Sequence, residues 1–291
     1  MNKKNVSIIA LLLVSSAICY AQNVSGKVAF RQGQIINISM ESKTTVSQEA
    51  GGNAIDFTAN GNAVHTFKVT NATENNSTLH HEVKRIAFNF DGMGQKKSID
   101  SDNPKDLDGF YGKPVKDILS KSYDMIIDPS GKTLLVKPEK IELAKTDDRL
   151  GIIFNLLKDV TNIVYPPKKN AASFFKVLPD TGTGLNESWT ETGLDSNGLF
   201  KTIYTLSAIT DSTLVVDFKG NSSYVSKAEI MGMQTTTTMN NAYSGTITLD
   251  KVTGIVREKN ISTTSNGSTE VMGGTMPVTS KTSLVIKVKP E

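Results

Sequence analysis

Apolar and polar residues alternate with period two along most of this chain. Ile36, Ile38, Met40, Thr44 and Val46 fall on one side of a first register, and Asn37, Ser39, Glu41, Lys43 and Thr45 on the other. That is the pattern of a strand with one buried and one wet face. The alternation returns at Ala63, His65, Phe67 and Val69, at Phe200, Thr202, Tyr204 and Leu206, at Leu214, Val216 and Phe218, at Tyr243, Gly245, Ile247 and Leu249, and at Leu284, Ile286 and Val288. Between Leu79 and Phe90 the apolar positions change parity, from Leu79 and Val83 to Ile86, Phe88 and Phe90. The switch predicts a β-bulge near Lys84 and Arg85. Asn-, Gly- and Thr-rich stretches at 48–62, 71–78 and 260–270 read as hairpin loops.

Two strand-turn-strand signals resemble each other, one from Tyr123 to Gly131 and one from Tyr243 to Gly254. In each, an alternating strand ends at an Asp (Asp128, Asp250) and the chain reverses at a Gly able to take positive φ. Between them the period changes. Leu150, Ile153, Phe154, Leu157, Val160 and Val164 follow helical spacing, Thr146 or Asp147 can cap the start, and Pro166-Pro167 ends the segment. A shorter helix is predicted from Pro114, with Val115, Ile118 and Leu119 on one face.

The predicted fold class is therefore mainly β, with long antiparallel strands forming a curved sheet or half-barrel from two related halves and one prominent amphipathic helix. The expected organisation is a signal peptide at 1–21, an N-terminal β half at 22–145, a helix and connector at 146–170, and a C-terminal β half at 171–291. The two halves are expected to form one domain.

The first residues bear on compartment. Lys3 and Lys4 precede an apolar run from Ile8 to Val14, followed by small residues and Cys19-Tyr20-Ala21. These are the three regions of a secretory signal, with cleavage expected between Ala21 and Gln22. The run is too short for a membrane-spanning anchor, which needs about 20 residues. The alternative is a lipid anchor on Cys19, which the bulky Ile18 before it disfavours. Cys19 is the chain's single cysteine, so its removal excludes disulfides, thiolate metal sites and cysteine nucleophiles from the mature protein. The formal charge of +3 falls to +1 without Lys3 and Lys4, and the remaining charges are interspersed. No nucleic-acid footprint is present. A hydrophobic content of 38% can bury a substantial core.

Candidate chemistry is sparse. Asp180-Thr181-Gly182 matches the Asp-Thr-Gly string of aspartic proteases, whose mechanism needs two carboxylates sharing a proton, but no second copy exists. His80 and Glu82 share one strand face, and His65 on a neighbouring strand would complete a His, His, Glu metal site; solvent-facing or core-edge histidines are the simpler expectation. No nucleophile elbow, phosphate loop or metalloprotease motif occurs. No catalytic residue, metal or cofactor is assigned, and the chain is read as a non-enzyme. Met231, Met233, Met239, Met272 and Met276 gather in the C-terminal half. Thioethers suit core packing, and they also form a deformable wall for a lipid-like ligand.

The succession of signal segment, Thr-rich strands, Gly112-Lys113-Pro114, the Asp128–Gly131 turn, Pro179 to Trp189, Tyr243 to Gly254 and Met272 to Met276 resembles an uncharacterised family of secreted proteins of Bacteroidota. That resemblance implies a compartment and a β fold, and no established activity. Asp211-Ser212-Thr213 is similar to the O-glycosylation signal of secreted Bacteroidota proteins, with Ser212 as acceptor. The strand-rich architecture is also similar to half-barrel periplasmic lipoprotein carriers, which hold acyl chains between a curved sheet and helices.

The expected function is non-catalytic binding of an apolar or amphipathic ligand in the periplasm or outside the cell, with Ile153, Phe154, Leu157, Met231, Met233, Met272 and Met276 as ligand-binding candidates. The partner would be a lipid-like small molecule or a cell-envelope protein. The alternative is a structural or protein-interaction module with a filled core. Leu157→Glu is expected to lose bound ligand with only modest loss of stability, because an open cavity leaves the charge partly solvated where a close-packed core would not.

Overall fold

The computed structural model describes residues 23–50, 53–92, 94–109, 112–143, 157–195, 198–230, 233–271 and 274–291. Twelve antiparallel strands form one curved, unclosed sheet. They are β1 (Ile35–Ala50), β2 (Asn53–Ala72), β3 (Ser77–Gly92), β4 (Gln95–Asp100), β5 (Ser122–Ile127), β6 (Thr133–Lys137), β7 (Ser188–Asp195), β8 (Gly198–Ile209), β9 (Thr213–Ile230), β10 (Met233–Asp250), β11 (Val256–Val271) and β12 (Gly274–Pro290). The order is β6-β5-β3-β2-β1-β12-β11-β10-β9-β8-β7, with β4 beside β3. The chain's first and last strands meet at the centre, where Ile38 stands opposite Val288 and Thr44 opposite Thr282. Each half then runs outward from that seam. The short helices are α1 (Pro104–Leu107), capped by Asn103, α2 (Gly112–Leu119) and α3 (Lys158–Thr161), the last followed by a 3-10 turn at Asn162–Val164.

The predicted alternation places the core. Ile36, Ile38, Met40, Phe67, Leu79, Leu206, Leu214, Val216, Ile247 and Leu249 are all buried, on one face. That inner face is covered at one end by the N-terminal segment, α2, and the stretch from Leu157 to Leu178. The predicted short helix is α2, with Val115 and Ile118 buried. Phe175 meets Phe67 and Phe30 edge-on at centroid distances of 5.3 and 5.1 Å, a favoured geometry for aromatic pairs.

Both predicted turns form. Asp128 Oδ1 accepts from the Ser130 and Lys132 amides at 2.9 Å, and Asp250 Oδ1 accepts from the Val252 and Thr253 amides at 3.0 and 2.8 Å. Gly131 and Gly254 take φ of +82° and +69°. The turns then meet one segment of chain: the Val28 amide donates to Pro129 O at 2.6 Å and the Ala29 amide to Thr253 O at 2.8 Å. The first hairpin, β5–β6, lies at a sheet edge, and the second, β10–β11, lies inside the other half.

The parity switch in β3 is the predicted bulge. Val64 stands opposite Arg85 and His65 opposite Val83, leaving Lys84 without a cross-strand partner. Two of the three expected loops are corrected. Asn53 to Asn62 belongs to β2, paired with β1 throughout and with β3 from Phe57, and Asn260 to Glu270 belongs to β11, paired on both sides. Their polar composition is overridden by neighbouring strands that satisfy their backbone groups. Among the described residues, 71–78 contains a turn as expected, between β2 and β3.

Candidate functional site

The inner face changes character along the strands. Toward the Asp128 and Asp250 turns it is aliphatic and packed; toward the opposite end it carries Phe57, Phe88 and Phe90 in the N-terminal half and hydroxyls, amides and tyrosines in the C-terminal half. Thr44 and Thr282 hydroxyls pair across the seam at 2.9 Å, Asn241 donates to Ser222 Oγ at 2.9 Å, and the Thr202 and Tyr243 hydroxyls are 2.7 Å apart. Thr44, Thr202 and Ser265 are buried there, and Tyr243 is half-buried. The result is an amphipathic inner face, with an aliphatic floor and a hydroxyl wall.

The residues from Leu157 to Val164 form a strap over β1, β2 and β3. Leu157, Val160 and Val164 are buried in the core. The backbone of Gly61 allows this approach: a Cβ there would stand 2.7 Å from Leu157 Cδ2 and 3.2 Å from Val160 Cγ2. Two polar contacts pin the strap, His65 Nε2 to Val160 O at 2.8 Å and Tyr123 Oη donating to Ile163 O at 3.0 Å.

His65 and His81 are fully buried, which corrects the expectation of exposed or core-edge histidines. Register is the reason: Phe67 pairs with His81 and His65 with Val83, so both rings project inward. His81 stacks on Tyr123 at 4.6 Å and lies 4.8 Å from Phe67. Burial lowers His65 to about 4; it lowers His81 to about 3, helped by the neighbouring His65 and His80 charges. His80 points to the outer face, where it bonds Asp124 at 2.7 Å and stands 3.4 Å from Glu82. The conceived His65, His80, Glu82 metal set is thus divided between two faces, and among the described residues no cluster suited to a metal occurs.

Across β7, β8 and β9 runs an aromatic ladder. Trp189 stacks on Tyr204 at 5.4 Å and Tyr204 meets Phe218 at 5.9 Å. The Lys259 ammonium lies 5.5 Å from the Phe218 centroid, within the range of a cation–π contact. Lys259 reaches this face through a second bulge. Thr248 pairs with Glu258 and Leu249 with Val256, so Arg257 is the extra residue, and its guanidinium bonds Asp250 at 2.6 Å. Burial lowers the Lys259 pKa, opposed by the charge of Glu191.

Of the ligand-binding candidates, Ile153, Phe154, Met231 and Met272 lie outside the described residues, as do Cys19, Ala21 and Gln22. Leu157 is 2% exposed and core-packed. Met233 opens β10 opposite Ile230. Met276 is half-buried, its sulfur 3.8 Å from Gln48 Nε2. The structure therefore does not bring Leu157 together with Met276, which lies toward the far end of β12. The expected helix is seen from Lys158 to Val164 only, its earlier residues being outside the described set. Ser212 is exposed in the β8–β9 turn. Asp180 pairs with Lys176, and Gly182 takes φ of +74° in a loop bridged to Val24. Sequence reasoning missed the inward pairing of His65 with His81 and the inward lysine. For Lys259 one signal existed, its shared parity with Ile261.

A groove of about 520 Å³ on the outer face is lined by Lys201, Ile203, Lys219, Asn221, Ser244 and Ser262. Its lysines are exposed. Among the described residues, no helix is long and apolar enough to cross a membrane.

Residues 167–256 match the model of a family of unknown function (DUF6263). No curated protein matches. Among solved structures, a lipovitellin structure concerned with lipid–protein interactions is similar at 12% identity and a TM-score of 0.44, over 89% of this chain and 26% of lipovitellin, so the chain spans about a quarter of that protein. An outer membrane channel from Pseudomonas putida F1 is similar at 9% identity over 90% of this chain and 98% of the channel, with a TM-score of 0.28. The translocator domain of the autotransporter NalP from Neisseria meningitidis is similar at 8% identity over 98% and 95%, with a TM-score of 0.21.

Proposed function

We propose that this protein is a non-catalytic binding protein of the periplasm or cell exterior that holds a lipid-like amphipathic molecule on the inner face of its sheet. One observation carries the reading: the inner face joins an aliphatic floor to a wall of hydroxyls and tyrosines. A ligand with an apolar body and a polar end matches both parts, and partly buried polar side chains give such a ligand orientation. The reading needs neither a metal nor a nucleophile.

The test is native mass spectrometry of the protein purified without detergent, followed by solvent extraction. Copurifying amphipathic molecules, released on denaturation, are the expected result. A protein that runs at its bare mass and takes up no added amphipath overturns the reading.

A second reading is favoured by the strap. Leu157, Val160, Val164 and Phe175 fill the concavity of the N-terminal half with the protein's own side chains. In the other half Leu206, Leu214, Val216, Ile247 and Leu249 are buried as well; on this reading the protein is a structural or interaction module of the cell envelope, and the same experiment finds no ligand.

A further inference from the structure

We infer that Lys259 is the anchor for an anionic head group, so that the amphipath held on the inner face is a carboxylate or a similar anion. The inference rests on the binding reading above and specifies it.

The cross-strand registers assign the inner positions of β1, β2, β3 and β9 to β12. Their occupants are aliphatic, aromatic, hydroxyl, amide, methionine or neutral imidazole groups. Among these described inner positions Lys259 is the one formal charge. It is placed there by the Arg257 bulge, which is itself tied down by Asp250. Its ammonium rests on the Phe218 ring and makes neither an ion pair nor a hydrogen bond among the described residues. The acidic group that influences it, Glu191, stands on the inner face of β7, opposite Thr202 and beyond β8, β9 and β10. Gly245, between Phe218 and Ile261, lets the Phe218 ring lie close against β10, where a Cβ would stand 2.8 Å from Phe218 Cζ.

A partly buried cation without a hydrogen-bonded counter-ion is retained at a cost to stability. Perturbed titratable groups in concave sites are for that reason candidates for function. An anionic oxygen arriving from a ligand would supply the missing acceptor as a charge-assisted hydrogen bond. The adjoining aliphatic side chains of Ile247, Leu284 and Ile286 are buried, and the ligand's chain would enter by displacing the groups that cover them. Lys259 pairs with Ile247 on one side and Ile286 on the other.

The single tryptophan of the chain, Trp189, ends the ladder that starts at Lys259, so its emission reports occupancy. The experiment titrates the whole protein at neutral pH with dodecanoate and with dodecanol, equal in chain length and different in charge. Dodecanoate should bind about tenfold more tightly or better, the difference a charged hydrogen bond supplies. Lys259→Met should remove that preference, with a melting temperature equal to or above the parent's because a partly buried charge without an ion-pair partner is gone.

Equal binding of the two probes by the parent overturns the anchor and leaves the binding reading standing. A preference that survives in Lys259→Met also overturns it. A variant that melts well below the parent and loses both probes together shows that the lysine serves packing, and overturns it as well. Binding of neither probe by the parent overturns the anchor and the binding reading together.

Discussion

The imidazoles of His65 and His81 face each other inside the core, with Nδ1 of the first 3.1 Å from Nε2 of the second. Their proton positions follow from their partners. The Val160 carbonyl can only accept, so the His65 Nε2 beside it carries a proton and donates. In the neutral ring His65 Nδ1 is then the acceptor, and His81 Nε2 is the donor. That leaves His81 Nδ1 as a buried lone pair with no hydrogen-bond partner. One chain of bonds thus links β3, β2 and the strap, and it exists only while both rings are neutral.

Acid should therefore weaken the fold through this pair. Burial holds His65 at about 4 and His81 at about 3, below the ordinary histidine value of 6.5. The unfolded chain takes up these protons first, so the contribution is complete above pH 6.5 and is lost as pH falls through the folded values. For His65 alone this amounts to on the order of 3 kcal/mol. Urea unfolding at a series of pH values should show stability falling from pH 6.5 to 4.5. In His81→Phe the slope should be shallower by about one proton, and an unchanged slope would exclude the pair as its source.

Leu157→Glu should unfold the protein or cost about 4 kcal/mol, because Leu157 is sealed against Val160 and the Gly61 backbone. This reverses the outcome expected of an open cavity at that position. A milder probe is Gly61→Ala, whose Cβ would stand 3.0 Å from Ser42 Oγ and closer still to Leu157. Hydrogen exchange should then speed up at the Val160 and Thr161 amides, with the β10 and β11 amides unchanged. Equal acceleration everywhere would mean that the strap does not open separately from the sheet.

Both turn glycines should resist substitution, and unequally. Gly131→Val and Gly254→Val each force a β-branched residue to positive φ, at a cost of about 1–3 kcal/mol. At Gly254 a Cβ would also lie 2.3 Å from Lys27 O, whereas at Gly131 the nearest atoms are 3.1 Å away, on Lys176. Thermal midpoints should rank parent, Gly131→Val, Gly254→Val from highest to lowest. The opposite order would mean that the N-terminal segment yields at no cost.

Asp250 joins the second turn to the Arg257 bulge. Burial opposes its ionisation, but the Thr253 amide, the Arg257 guanidinium and the Thr253 hydroxyl together hold it at about 2. Its contribution is present above the ordinary carboxylate value of 3.8 and fades as pH falls through 2. Asp250→Ala should cost about 2 kcal/mol at neutral pH. It should also raise the affinity for dodecanol relative to dodecanoate, because the bulge that aims Lys259 inward is loosened. A variant as stable as the parent would show that the turn holds without its carboxylate.

What this chain's sequence determined by itself is local. Alternation through Ile36 to Met40 and Ile247 to Leu249 marks the buried face, since a period of two is a property of one strand. The Asp128–Gly131 and Asp250–Gly254 turns are legible because side-chain oxygen and positive φ act within a few residues. The Lys84 bulge shows as a change of parity in β3. Tertiary structure decided the rest. Nothing local says that β1 pairs with β12, or that Val28 and Ala29 bond both turns at once. The polar segments at 53–62 and 260–270 became strands because long neighbours, on one side of 53–56 and on both sides of the rest, paired their backbones. His65 and His81 meet, and His80 is sent outward, because of the register between β2 and β3, while Lys259 turns inward because Arg257 is an extra residue against β10. Pairing and register are set by contacts between residues far apart in the chain, and a shift of one position moves every side chain beyond it to the other face.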